Sequence, residues 1–366
     1  MRTVSTLSLV LLLGLSLPTS ALAALPGMLA PTPPLAGKTA AAGAAAVGVS
    51  PGETGDNEAG AITDVDVVLV SGQYSGPGLW KISKGDHALW ILGTVSPVPK
   101  GMDWYSAQAE AVLAQTQEII GAPGFASTVG AGGMFKMAFA IPTMLRARKN
   151  PDGKVLRDVL PAELYARWSA LKPVYLGNDM SVEEFRPVFA AEALHQSALK
   201  RSGLVSGTGV RKRLGELIKG HKIKLTSTMV HTEIKDPKKL AKSFARAELD
   251  DVQCFRSVLD RLELDVAHAA QRANAWANGD IAELTRLFRR GDVTPCVEAI
   301  ANTDAGRALG VGDAVARGQQ LWLQAAEAAL AANHTSFSTL PVAELLQSDG
   351  LLARLQAKGY VVVAPE

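Results

Sequence analysis

The sequence predicts an α/β domain: a central mostly parallel sheet with an N-terminal hairpin, flanked by many helices. Two short runs rich in aromatic and β-branched residues, Leu79 to Ile82 and His87 to Leu92, are joined at Lys84-Gly85-Asp86-His87, where the glycine supplies the freedom a hairpin turn needs. Further strand-like runs follow at Glu118 to Ile120, Lys222 to Val230, Thr335 to Leu340 and Tyr360 to Val363, separated by long helical stretches. That alternation is the pattern of parallel sheets. A chain of 366 residues is long enough to bury a full core.

The chain begins with the three parts of an export signal over residues 1–23. Arg2 is the positive end, Leu7 to Leu17 the apolar run, and Ala21-Leu22-Ala23 a small-residue cleavage site. The apolar run is short of the ~20 residues of a membrane span, and cleavage before Ala24 leaves no transmembrane segment; a retained anchor is the alternative. No cysteine follows the run, which argues against a lipid anchor. Residues 24–61, dominated by Pro, Ala and Gly, read as a disordered linker, and residues 62–366 as the folded domain.

Within that domain Asp64 to Val70 alternates as a strand would. After the hairpin, Asp103 is the expected cap of a helix from Trp104 to Gln117, and Glu118 to Ile120 closes a β-α-β unit. The Gly- and Met-rich residues 125–146 read as an apolar loop and helix packed over the site, with a mobile or membrane-touching flap as the other reading. Pro161 opens a helix, Ser181 to Glu184 forms a capping-box pattern before a second, and Gly209 to Lys219 forms a third. Lys222 to Val230 returns to the sheet. Long helices fill Pro237 to Trp276, with Asn278-Gly279-Asp280 as a stop and restart. Helices follow at 312–332 and 345–358, on either side of the strand 335–340.

Composition narrows the function classes. Lys+Arg 37 against Asp+Glu 35 leaves no strong basic patch, which argues against nucleic acid as a partner. The two cysteines, Cys254 and Cys296, form a disulfide by default in an oxidising compartment, with two buried free thiols as the alternative. Ligands of α/β folds gather outside the carboxyl ends of strands, so Thr94, Val95 and Ser96 are expected to line a site.

Several segments, in order, resemble the TraB/GumN family, which includes the Tiki-type metal-dependent proteases. They are Leu79-Trp80-Lys81 with Leu92-Gly93-Thr94-Val95, then Phe185-Arg186-Pro187 and Trp276 to Asp280, then Phe337 to Leu345 with Asp349 to Leu352 and Gly359-Tyr360. Trp80, Gly93, Thr94, Trp276, Gly279 and Asp280 stand as its scaffold residues. The resemblance implies two Gly-x-x-His motifs and an acid that gather a divalent metal, which would activate water for attack on a carbonyl. Here the first motif ends in Ser96 and the second reads Pro341 to Glu344. The acid position falls at Gly121, with Glu118 nearby, and an expected Arg-Asn pair reads Gly318-Gln319, with Arg317 one place off.

The expectation is therefore an exported bacterial protein, periplasmic or secreted, with a degenerate site. It needs no cofactor and acts by binding an unidentified protein or small molecule, or as a scaffold. The alternative is a hydrolase of peptide, amide or ester bonds with a rebuilt oxygen-ligand metal site at Ser96, Glu344 and Glu118, taking Mg²⁺, Mn²⁺ or Ca²⁺. Otherwise Glu344 is an acid at a helix N-terminus and Ser96 a turn residue before Pro97. Ser96 lacks the Gly-x-Ser-x-Gly elbow of a nucleophile. His87 is expected to face solvent, as are His195, His221, His268 and His334, and His231 with Glu233 reads as a polar surface pair.

Overall fold

The structure is a computed structural model that describes residues 76–129, 131–206, 208–219, 222–288 and 294–365. The expected signal, linker and strand at 64–70 lie outside the described residues.

The alternation read in the sequence produces a six-stranded sheet. Its strands are β1 (Leu79–Lys84), β2 (His87–Thr94), β4 (Glu118–Ile120), β7 (Lys224–Thr226), β9 (Thr335–Pro341) and β10 (Val361–Val363), in the order β10-β1-β2-β9-β4-β7. The hairpin β1–β2 and the edge pair β1–β10 are antiparallel, and the pairs β2–β9, β9–β4 and β4–β7 are parallel. β9 is buried from Ser336 to Leu340, as a strand covered on both faces must be. The β-α-β unit exists, but β2 and β4 are not neighbours, because β9 lies between them.

Four further strands make two more sheets. β3 (Val98–Pro99) pairs antiparallel with β6 (Leu204–Val205), and β5 (Gly124–Thr128) pairs parallel with β8 (Met229–Glu233). The expected return to the central sheet over 222–230 is thus split: Lys224 to Thr226 joins it, and Met229 onward leaves it for β5. Loop chemistry at Ser227-Thr228 separates the two, with the Thr228 hydroxyl donating to the Gly121 carbonyl at 2.8 Å.

The first helix runs over Ala107–Gln115, later than expected, because Ser106 caps it by accepting from the Ala109 amide at 3.1 Å. Asp103 reaches only the neighbouring Trp104 amide. The helix expected within 125–146 is present at Ala131–Ala147, but a strand, Gly124–Thr128, stands where the loop was expected, and Ala140 and Met144 pack with Ile234, Ala241 and Leu309. Ser181–Glu184 is itself a short 3₁₀ turn, and the helix after it starts at Pro187, where the missing amide hydrogen is no loss. The helix expected over 345–358 is shorter, Leu351–Gln356, and a separate helical turn, Val342–Leu345, precedes it.

One core lies on the sheet, centred on Leu89, Ile91, Leu92, Ile120, Trp276, Trp322 and Phe337. The helix Val311–Ala332 crosses it, and the Trp322 indole donates to the Ser338 hydroxyl at 3.1 Å, which in turn donates to the Ile120 carbonyl at 2.9 Å. A second core is helical, built by Pro187–Arg201 and Val252–Ala277 around Trp168, Phe189 and Phe255. Here Cys254 and Cys296 lie at disulfide distance, 2.08 Å between sulfurs.

Polar groups in the second core are partnered across helices. Asp251 precedes Val252–Ala277 but sends its carboxylate to another helix, accepting from the Val188 amide at 2.9 Å. Burial pushes its carboxyl up from 3.8 to about 6, against the opposing pull of that amide and of Arg186. The folded chain then holds the proton more tightly than the unfolded chain, so stability falls as pH rises from about 4 to about 6. Asp251→Asn keeps an oxygen for Val188 and removes the charge. The variant is expected to match the wild type near pH 4 and to exceed it by about 2–3 kcal/mol above pH 6 in urea unfolding. A difference independent of pH would contradict this account.

Candidate functional site

The register of β2 against β9 pairs Gly93 with Leu340 and Thr94 with Pro341. Ser96 and Glu344, remote in the chain, therefore both lie just beyond the carboxyl ends of two adjacent parallel strands. Gly121 follows β4 at the same end, since Ile120 pairs with Ser338 of β9. A Cβ placed on Gly318 would lie 3.3 Å from the Gly124 amide nitrogen and 3.5 Å from Pro123 Cβ, so this helix position packs on the chain leaving β4. Four positions at which the sequence departs from the motif pattern thus gather at one end of the sheet, where strand topology places ligands.

The retained residues hold that end together. The Trp276 indole donates to the Gly93 carbonyl at 2.6 Å, and Trp104 packs edge-on against Trp276 at 5.4 Å between ring centroids. A Cβ on Gly93 would meet Trp80 Cζ3 at 2.7 Å, Val342 Cγ2 at 2.8 Å and Leu345 Cδ1 at 3.1 Å, so only glycine lets β2 pass this close. The Thr94 hydroxyl donates to the Leu340 carbonyl at 3.3 Å. Gly279 turns the chain with φ +71°, and Asp280 caps the helix Ile281–Leu287 by accepting from the Glu283 amide at 2.8 Å.

The chemistry available there is sparse. Ser96 is exposed. Glu344 is half-buried, and both its oxygens are engaged locally: Oε1 accepts from the Leu351 amide at 3.2 Å and Oε2 from Gln347 Nε2 at 3.3 Å. Arg317 turns away, pairing with Asp313 at 3.2 Å and donating to the Gly310 carbonyl at 3.1 Å. One committed carboxylate and a neutral hydroxyl, with glycine at the acid position, do not fit the donor set that a divalent metal of the zinc class requires.

Glu118 does not join them. It begins β4 opposite Ser336, five residues before Pro341 along the parallel direction and so about 16 Å from the carboxyl ends at ~3.3 Å per residue. Its carboxylate accepts from Thr226 Oγ1, from Asn333 Nδ2 at 2.9 Å and from Lys224 Nζ at 3.0 Å. Burial alone would raise its pKa, but these three donors outweigh it and hold the carboxyl below its ordinary value. Glu118 is a buried anchor between strands, and the three-residue site at Ser96, Glu344 and Glu118 is not assembled.

Two histidines depart from the expected surface role. His195 is buried, with Nε2 3.2 Å from Asp265, whose other oxygen accepts from Arg272 at 2.8 Å. Its helix packs on Val252–Ala277, which brings Asp265 to it. His87 is half-buried, with Nδ1 2.7 Å from the Leu330 carbonyl. Beside it lie Asp86 and His334, at the amino ends of β2 and β9, and the ligand atoms of the three lie within 4.8 Å of one another. This grouping was missed because its members were weighed singly, and the available signal was their shared place, at the first residue of a strand or one residue before it. His334, His231 and Glu233 are exposed, as expected, His268 is half-buried, and His221 lies outside the described residues.

A family model described as the TraB/PrgY/gumN family matches residues 78–364. No curated protein and no solved structure matches the chain.

Proposed function

The chain belongs to the TraB/PrgY/gumN family, and from that premise we propose that it is an exported envelope protein that binds a partner at the carboxyl ends of β2, β9 and β4 and carries out no metal-dependent hydrolysis there. The observation that carries this reading is the contrast at that end of the sheet. The packing around Gly93 and Trp276 is complete, whereas the ligand-capable residues are reduced to an exposed serine and a carboxylate already engaged by Leu351 and Gln347. The binding face keeps its shape without the imidazoles that would hold a metal and activate water. The disulfide-distance cysteines fit an oxidising periplasmic or extracellular compartment. Among the described residues no helix is long and apolar enough to cross a membrane, and the domain is assigned residues 62–366 behind the signal and linker.

Metal content tests it. In a His87→Ala/His334→Ala background, which removes the imidazole pair at the opposite end, the purified protein is expected to carry no stoichiometric divalent ion after equilibration with Mg²⁺, Mn²⁺, Ca²⁺ or Zn²⁺. Chelator is expected to leave its melting temperature unchanged. One ion per chain that disappears on Glu344→Gln, together with hydrolysis of a peptide or ester substrate, would establish the rebuilt-site hydrolase instead.

A further inference from the structure

We propose that Asp86, His87 and His334 form a binding site for a divalent transition-metal ion of the zinc class, at the end of the sheet remote from the motif positions. Their ligand atoms all lie within 4.8 Å of one another. Asp86 Oδ2 is 3.1 Å from His334 Nδ1, Asp86 Oδ1 is 3.8 Å from His87 Nε2, and the two imidazoles stand edge-to-face at 4.8 Å. Donors on a tetrahedral zinc ion lie about 3.3 Å apart, given bonds of about 2.0–2.1 Å. The two carboxylate distances, one to each oxygen of Asp86, are near that value. Closing the third side requires only a small movement of His334, whose side chain is 70% exposed.

The hydrogen bonding of His87 is the second observation. Its Nδ1 sits 2.7 Å from the Leu330 carbonyl, which can only accept, so Nδ1 donates there and, in the neutral ring, Nε2 is the nitrogen left to bind a metal, on the side of Asp86. An imidazole whose other nitrogen donates to a backbone carbonyl is the arrangement that orients metal-ligating histidines and raises their basicity. Leu330 lies in the last turn of the helix Val311–Ala332, where unpaired carbonyls and the helix dipole both favour a cation.

The backbone holds the donors in place. His87 and Asp86 leave the tight turn at Gly85, φ +63°, directly into β2. His334 leads into β9, and its carbonyl accepts from the Ala88 amide at 2.9 Å. Two imidazoles and one carboxylate, with a fourth position open to water, suit Zn²⁺, Cu²⁺ or Ni²⁺ and are a poor cage for Mg²⁺ or Ca²⁺, which prefer all-oxygen shells.

The test is titration calorimetry of the purified mature chain, without a polyhistidine tag, using ZnCl₂ and separately MgCl₂. One zinc per chain and no magnesium binding are expected. His334→Ala is expected to weaken zinc binding at least tenfold, the scale on which metal-site residues act, while leaving the melting temperature of the metal-free protein unchanged because the side chain is exposed. His87→Ala is expected to weaken it likewise, and His268→Ala to have no effect. Zinc binding that survives His334→Ala undiminished, or the absence of zinc binding, would reduce the cluster to a surface ion pair. Neither result bears on the binding role assigned to the other end of the sheet.

Discussion

Gly93→Ala is expected to lower stability by about 3 kcal/mol, the upper part of the range for overpacking a closed core, and the melting temperature by roughly 5 °C for a domain of this size. The backbone angles are not the obstacle, since Gly93 lies in a regular strand. The obstacle is that the new methyl carbon would come within 3.0 Å of Trp80 and Val342, whose side chains are 4% and 0% exposed and have nowhere to go. Shifting the strand to make room would also stretch the bond from Trp276 to the Gly93 carbonyl. Truncating the obstacle tests the cause: Gly93→Ala combined with Val342→Ala is expected to cost less than the sum of the two single changes. Strict additivity in thermal melts would mean that contact with Val342 is not what penalises the alanine.

Arg186→Met is expected to be more severe, about 3–5 kcal/mol in denaturant unfolding, because it strips buried acceptors of their donor. The guanidinium is 4% exposed and spans three backbone carbonyls: Nη1 donates to Ala247 at 2.8 Å, Nη2 to Ala245 at 3.0 Å and Nε to Lys149 at 3.2 Å. Burial lowers its pKa, and the nearby Asp251 carboxylate offsets part of that cost. Lysine is not expected to rescue the site, since one ammonium cannot reproduce a planar fork aimed at three oxygens. A second readout follows from the coupling. Without Arg186 the Asp251 carboxyl rises further, so the loss of stability with pH extends above pH 6. Wild-type stability in the methionine or lysine variant would show that the three carbonyls find water instead.

The sequence disclosed elements better than their neighbours. The hairpin, the strand at 335–340 and the stop at Gly279 were all legible, because local period and turn chemistry are written within a few residues. The insertion of β9 between β2 and β4 was not, since nothing in the period of Thr335 to Pro341 says which distant segments it will pair with. The same limit hid β5 and β8, each of which reads locally as a loop or as a continuation of another strand. His195 and His87 were misassigned for a related reason: a histidine in a polar stretch reads as surface until its partners, Asp265 and the Leu330 carbonyl, arrive from elsewhere in the chain. At the motif end, Ser96 and Glu344 could be assigned to one place from the motif order, whereas the remoteness of Glu118, expected beside them, required the strand register.

The position of β9 also bears on how the molecule is made. β2 and β4 are synthesised early, yet neither has its inner partner until Thr335–Pro341 emerges near the end of the chain. Three pairings of the central sheet, β2–β9, β9–β4 and β1–β10, join segments across more than half of the described chain. Long-range pairing of this kind slows folding, because the entropy of closing the large loops is lost before the contacts that offset it can form. A growing chain therefore cannot complete its sheet until Val361–Val363 has been made.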